Sequence, residues 1–102
     1  MILHTVNKSP YANQCLVDCL TTAATGDTII LIEDGVYGAT AGPLFDKSLP
    51  QLSELDIKLY VLRPDFEARG LHLGQSVLHF SLVDDHRFVE LVLEADKVLS
   101  WY

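Results

Sequence analysis

Gly26-Asp27-Thr28-Ile29-Ile30-Leu31-Ile32-Glu33-Asp34-Gly35 is the stretch on which the fold turns. Its centre, Thr28 to Ile32, is a continuous run of β-branched and aliphatic residues. A strand with one solvated face would alternate apolar with polar residues. An unbroken run is the pattern of a strand covered on both faces. Turn chemistry closes it, with Gly26 in front and Glu33-Asp34-Gly35 behind.

Upstream, Ile2 to Val6 reads as a first strand. Ser9-Pro10 then offers a helix N-cap followed by proline at the first helical position. Apolar residues recur at 11/12, 15/16, 19/20 and 23/24, the spacing of one helical face, and Gly26 closes the segment. Downstream, Val36 to Thr40 reads as a short helix, while the stretch from Gly42 to Glu54 holds Pro43 and Pro50 and is helical only in part. Ile57 to Leu62 is a third strand, and Pro64 to Arg69 a short helix ended by Gly70. Val77 to Val83 is a fourth strand. Asp84 or Asp85 caps a helix running to about Ala95, and Val98 to Tyr102 is a fifth strand. This alternation predicts one α/β domain over residues 1–102, with a mostly parallel sheet of about five strands.

Composition narrows the function classes. Hydrophobic residues make up 49% and charged ones 21% of the 102, the range of a globular chain. The longest apolar run, Ile29 to Ile32, is far short of the ~20 residues a membrane span needs. Met1-Ile2-Leu3-His4 carries neither the basic region nor the cleavage site of a signal peptide, so the expected compartment is the cytoplasm. Net charge is −7, and the seven Lys and Arg form no cluster that could grip nucleic acid by its phosphates. The surplus carboxylates favour solubility and would also suit docking to a basic partner surface. Two cysteines make neither a disulfide framework nor, with the four scattered histidines, a zinc site.

In a parallel α/β sheet, ligand chemistry gathers at the carboxyl ends of the strands. Here those ends are Asn7 to Pro10, Glu33 to Gly35, Arg63 to Asp65, and Asp84 to Arg87. Cys15 and Cys19, four apart on the first helix, share a face. Two readings stay open for them. Both are small buried hydrophobes, or Cys19 is a reactive thiol. An i, i+4 pair makes a poor disulfide, and Cys19, two to three turns into the expected helix, gains little from the helix dipole. His4 reads as a structural or interface residue. Glu33-Asp34-Gly35 reads as a solvated turn in which Asp34 caps the next helix, with paired-carboxylate acid–base chemistry as the alternative. No glycine-rich phosphate loop is present. Trp101-Tyr102 either anchors a partner or closes the chain's own core.

Four stretches together resemble the DsrH/TusB family. They are Leu3-His4-Thr5-Val6-Asn7-Lys8-Ser9-Pro10, then Glu33-Asp34-Gly35-Val36-Tyr37, then Lys58-Leu59-Tyr60-Val61-Leu62 leading into Ala68-Arg69-Gly70, and finally Phe88-Val89 with Trp101. They stand in family order and span nearly the whole chain, and the first is the most specific. The resemblance implies a three-layer DsrE-like fold. It also implies a heterohexamer with DsrE/TusD-like and DsrF/TusC-like subunits, two copies of each. Such complexes pass persulfide sulfur to a downstream acceptor protein without metal or organic cofactor. One branch serves 2-thiouridine formation at the tRNA wobble position, the other sulfur oxidation. The segments Asn7-Lys8-Ser9-Pro10 and Lys58-Leu59-Tyr60-Val61-Leu62 look closer to the sulfur-oxidising DsrH branch. Cys19 matches the first-helix cysteine of DsrH-type members and so becomes the candidate persulfide site. The sister DsrE/TusD subunit carries its main sulfur cysteine after the third strand, before an Arg-Gly. Here the corresponding stretch, Leu62 to Gly70, has no cysteine. The resemblance therefore implies an accessory or structural subunit of a sulfurtransferase complex, with Cys19 either a sulfur site or a packing residue.

Overall fold

The structure, a computed structural model, describes residues 1–40, 52, 54–71 and 80–102. Five strands form one sheet: β1 (Ile2–Val6), β2 (Thr28–Leu31), β3 (Lys58–Leu62), β4 (Ser81–Val83) and β5 (Lys97–Trp101). Their order is β4-β3-β2-β1-β5, and every neighbouring pair is parallel. All four residues of β2 are buried, as its unbroken apolar run requires of a central strand.

The helices follow from this order. From β1 to β4 the chain steps across the sheet in one direction. Right-handed crossovers therefore put α1 (Cys15–Thr22), a 3-10 helix (Glu33–Thr40) and α2 (Arg63–Ala68) on one face. The last crossover runs the opposite way, from β4 to the far side of β1, so its helix α3 (Asp85–Glu94) lies on the other face. The result is three layers with two cores. On the α1 face, Val6, Ile29, Leu31, Leu59 and Val61 of the sheet meet Leu16, Cys19 and Leu20 of α1, Val36 of the 3-10 helix and Phe66 of α2. On the α3 face, Leu3 and Ile30 meet Leu91, with Tyr60, Val83 and Phe88 packed against them.

Most strands and helices lie within a residue or so of the sequence expectation. The first helix differs. It starts at Cys15, not at Pro10, and ends at Thr22. Ser9 to Ala12 instead form a turn, with the Ala12 amide donating to the Ser9 carbonyl and the Tyr11 amide to Ser9 Oγ. Asn13 Oδ1 accepts from the Cys15 amide at 2.6 Å. Short polar side chains here satisfy the backbone locally and postpone the helix. Gly26, left-handed at φ 82°, belongs to the loop before β2 and not to the helix end. Gly70, at φ 74°, does close α2, just past its C-cap residue Arg69. The expected turn at Glu33 to Gly35 is the first turn of the eight-residue 3-10 helix. Of the fourth strand, Ser81 to Val83 pair with β3, while 77–79 lie outside the described residues, as does most of the 42–54 stretch. No helix among the described residues is long and apolar enough to cross a membrane.

Candidate functional site

The later start of α1 changes the setting of both thiols. Cys15 becomes the first helical residue, half-buried, and Cys19 the fifth, little more than one turn in. Cys19 is wholly shut off from solvent, packed among Leu16, Leu20, Ile29 and the other side chains of the α1-face core. Burial, and then the nearby Asp27 carboxylate and Cys15, push its thiol up to about 12. A thiol in that state is protonated at neutral pH and is a poor nucleophile. Cys15 lies at the core's edge, partly accessible.

Under the same helix lies a polar chain. His4, in the middle of β1, and Asp27, just before β2, are both nearly fully buried. His4 Nε2 is 2.9 Å from Asp27 Oδ2, and Trp101 Nε1 donates to His4 Nδ1 at 3.1 Å. An indole N–H can only donate, so Nδ1 carries the lone pair and Nε2 the proton. The imidazole is therefore held as one neutral tautomer with both nitrogens engaged, which leaves neither free to act as a base towards Cys19. Asp27 also accepts from the amides of Ile2 and Ala24, each at 3.0 Å. Burial works to raise its pKa, yet the His4 and backbone hydrogen bonds outweigh it and hold the carboxyl below its ordinary value. This chain joins β1, β2 and β5, and it is the polar core the sequence reading did not assemble. One signal was available. A histidine inside a buried strand and an aspartate at the mouth of another must each find a partner.

The carboxyl ends of the strands supply a second cluster. The Glu33 amide donates to Asp65 Oδ2 at 2.7 Å, and Glu33 itself is left-handed at φ 49°. Arg69 Nε donates to Asp34 Oδ1 at 2.9 Å, and its Nη1 to the Asp65 carbonyl at 3.1 Å. So the 3-10 helix and α2 are laced together. Asp34 pairs with Arg69 in place of the capping role read for it. Gly35 serves close approach, since a Cβ there would stand 2.0 Å from the Val6 carbonyl oxygen. Of the other candidate positions, Asp84 caps α3 by accepting from the Arg87 amide at 2.9 Å. His86 is exposed on α3, beside Glu90. His72 and His79 lie outside the described residues. Trp101 turns inward to His4 and the α1-face core, while Tyr102 is 80% exposed. Among the described residues no group of three or more His, Cys, Asp or Glu could hold a metal ion.

Comparison with known proteins adds a family. The profile described as DsrH like protein matches residues 8–98. The chain is 38% identical to Protein TusB of Pectobacterium parmentieri over 100 residues, covering 98% of this chain and 100% of that one. It is 36% identical to Protein TusB of Serratia proteamaculans over 101 residues and 33% identical to Protein TusB of Escherichia coli over 100, with the same coverage. Among solved structures it resembles the crystal structure of the ychN protein from E. coli, with a TM-score of 0.83 at 18% identity, covering 98% of this chain and 97% of that one. That likeness is one of fold. The solution structure of Protein Tm0979 from Thermotoga maritima matches with a TM-score of 0.62 at 26% identity, over 91% and 92% of the two chains.

Proposed function

The chain belongs to the DsrH family, and from that premise we propose that it is a subunit of a cytoplasmic sulfur relay in which partner subunits carry the persulfide. The partners are DsrE/TusD-like and DsrF/TusC-like chains in a heterohexamer. The acceptor is a further protein downstream, and no metal or organic cofactor takes part. The observation that carries the reading is the state of Cys19. Its thiol is sealed in the core and held protonated, and the stretch after β3, Arg63 to Gly70, offers no second thiol. Cys19 then serves as a packing residue and this chain as a structural subunit. The TusB name shared by the relatives described above favours the 2-thiouridine branch over sulfur oxidation.

A second reading has Cys19 itself as the persulfide site. In its favour, α1 is only eight residues long and its N-cap residue Gln14 makes no side-chain cap bond. Apart from the Asn13 contact to the Cys15 amide, the helix is held over the thiol mainly by packing. The chemistry would be thiol–persulfide exchange. The Cys19 thiol gives up its proton, and the thiolate attacks the outer sulfur of a donor persulfide. The donor S–S bond breaks, its electron pair leaves with the donor thiolate, and a new persulfide forms on Cys19 with no net oxidation.

One experiment separates the two. The assembled complex is incubated with a persulfide donor, and each cysteine peptide is weighed by mass spectrometry. The expected result is one added sulfur on a partner subunit and none on the Cys19 peptide. Sulfur on Cys19 would establish the carrier reading instead. In cells lacking this chain, wobble 2-thiouridine should fall. Unchanged tRNA thiolation with lost sulfur oxidation would assign the other branch.

A further inference from the structure

The buried chain Trp101–His4–Asp27 has an asymmetry that the sulfur-relay reading does not use and does not need. On one side of His4, Nε2 donates to a carboxylate that also ties down the backbone of Ile2 and Ala24. On the other side, Nδ1 accepts from Trp101, near the end of the sheet's edge strand. That bond spans 97 residues of sequence, and one other side-chain bond, Thr5 Oγ1 to Ser100 Oγ at 3.2 Å, joins the same two strands. A neutral imidazole serves both partners. An imidazolium cannot, because its second proton must go on Nδ1, where the indole N–H already points.

We propose that His4 is a proton-operated latch on the edge strand β5: a proton added at Nδ1 removes the acceptor that holds Trp101 and releases the carboxyl-terminal strand. The response is directional. The imidazolium gains a charged partner in Asp27, so the β1–β2 side tightens, while the β5 side loses its hydrogen bond and meets a repelling N–H. The groups that face His4 favour this reading. From the loop before β2 comes the Asp27 carboxylate, and β2 itself sets Ile29 opposite in register. β5 brings Trp101 and, in register, Leu99, neither of them ionisable. From α1 the ionisable groups beside this core are two thiols, Cys19, kept protonated first by burial and then by the same carboxylate, and Cys15 at the core's edge. The helix α3 packs on the opposite face of the sheet. Nothing among these would hold the indole once Nδ1 is protonated. The strand so released is also one that exposes apolar side chains, Val98 and Leu99.

Trp101 is the chain's one tryptophan, so its indole resonance reports the latch without ambiguity. Nitrogen-15 spectra recorded from about pH 8 to about pH 5 would follow the His4 ring nitrogens, the indole N–H and the protection of the β5 amides, each corrected for intrinsic exchange at that pH. As Nδ1 takes up its proton, the indole signal should move with the same midpoint. β5 protection should fall about fivefold, the equivalent of one net hydrogen bond. His4→Gln keeps a donor for Asp27 and an acceptor for Trp101 but has no proton to gain, so β5 should stay protected across the range. Trp101→Phe should start with the lowered protection and show no pH response in β5. The latch is wrong if His4 protonates while β5 and the indole stay unmoved. It is equally wrong if the Gln variant responds like the parent chain, or if His4 stays neutral until the fold itself is lost.

Discussion

At Cys19 two demands on a sulfhydryl conflict: a sulfur carrier must ionise and be reached, and a core residue must do neither. Here its surroundings meet the second demand. In the isolated native chain, alkylation should label Cys15 well before Cys19, and peptide mapping after a short iodoacetamide pulse checks this. Cys19→Ser places a hydroxyl in the apolar α1-face core, shut off from solvent, and should cost about 1–3 kcal/mol. Cys19→Ala, which leaves only a small void, should cost less, and urea midpoints rank the two. Asp27 makes a pH prediction. Its folded-state pKa lies below the ordinary value of about 3.9. The stability it confers is therefore fully present above that value and is lost as pH falls through the lower folded one. Asp27→Asn should cost about 1.5–3 kcal/mol near neutrality and flatten the acid limb of the urea-midpoint profile. An unchanged acid limb would mean that other carboxylates set it.

Among the elements, the 3-10 helix is held by contacts that leave no slack. Gly35 stands against the Val6 carbonyl, and Glu33 accepts a left-handed backbone while donating its amide to Asp65. Gly35→Ala should therefore destabilise by about 1–3 kcal/mol or more through overpacking against main chain. Asp65→Ala should loosen the same join from the side of α2. The helix α3 is the simpler case. Its cap was legible as Asp84 or Asp85, because acidic residues stood directly before a helical pattern, and the structure gives the role to Asp84. Asp84→Ala should cost about 1 kcal/mol, read as a lowered urea midpoint at unchanged slope. The first helix was read too long for an equally local reason. Its four-residue spacing runs back to Tyr11, but Ser9 and Asn13 bond the nearby backbone and divert the chain into a turn.

Across the whole molecule, two cores share one sheet, and side chains that belong to neither should matter little to stability. Leu93 is 79% exposed on α3, so Leu93→Ser should leave the unfolding midpoint within about 0.5 kcal/mol of the parent. Phe66, fully buried against the other face, should cost about 3–5 kcal/mol as Phe66→Ala. Thermal or urea denaturation of the pair tests that division. The order of elements, the parallel sheet and the two-sided burial of β2 were all determined by the sequence. Those depend on apolar periodicity and turn residues, which act over a few neighbours. The family was legible for the same reason, in short runs such as Leu3 to Pro10. What only the tertiary structure decided was which distant polar groups meet. His4, Asp27 and Trp101 are separated by up to 97 residues, and the parallel register of β1 between β2 and β5 brings them to one buried point. The character of Cys19 was decided in the same way. A thiol's ionisation depends on the water and charge around it, and those are set by the packing of α1 on the sheet, not by the spacing of two cysteines.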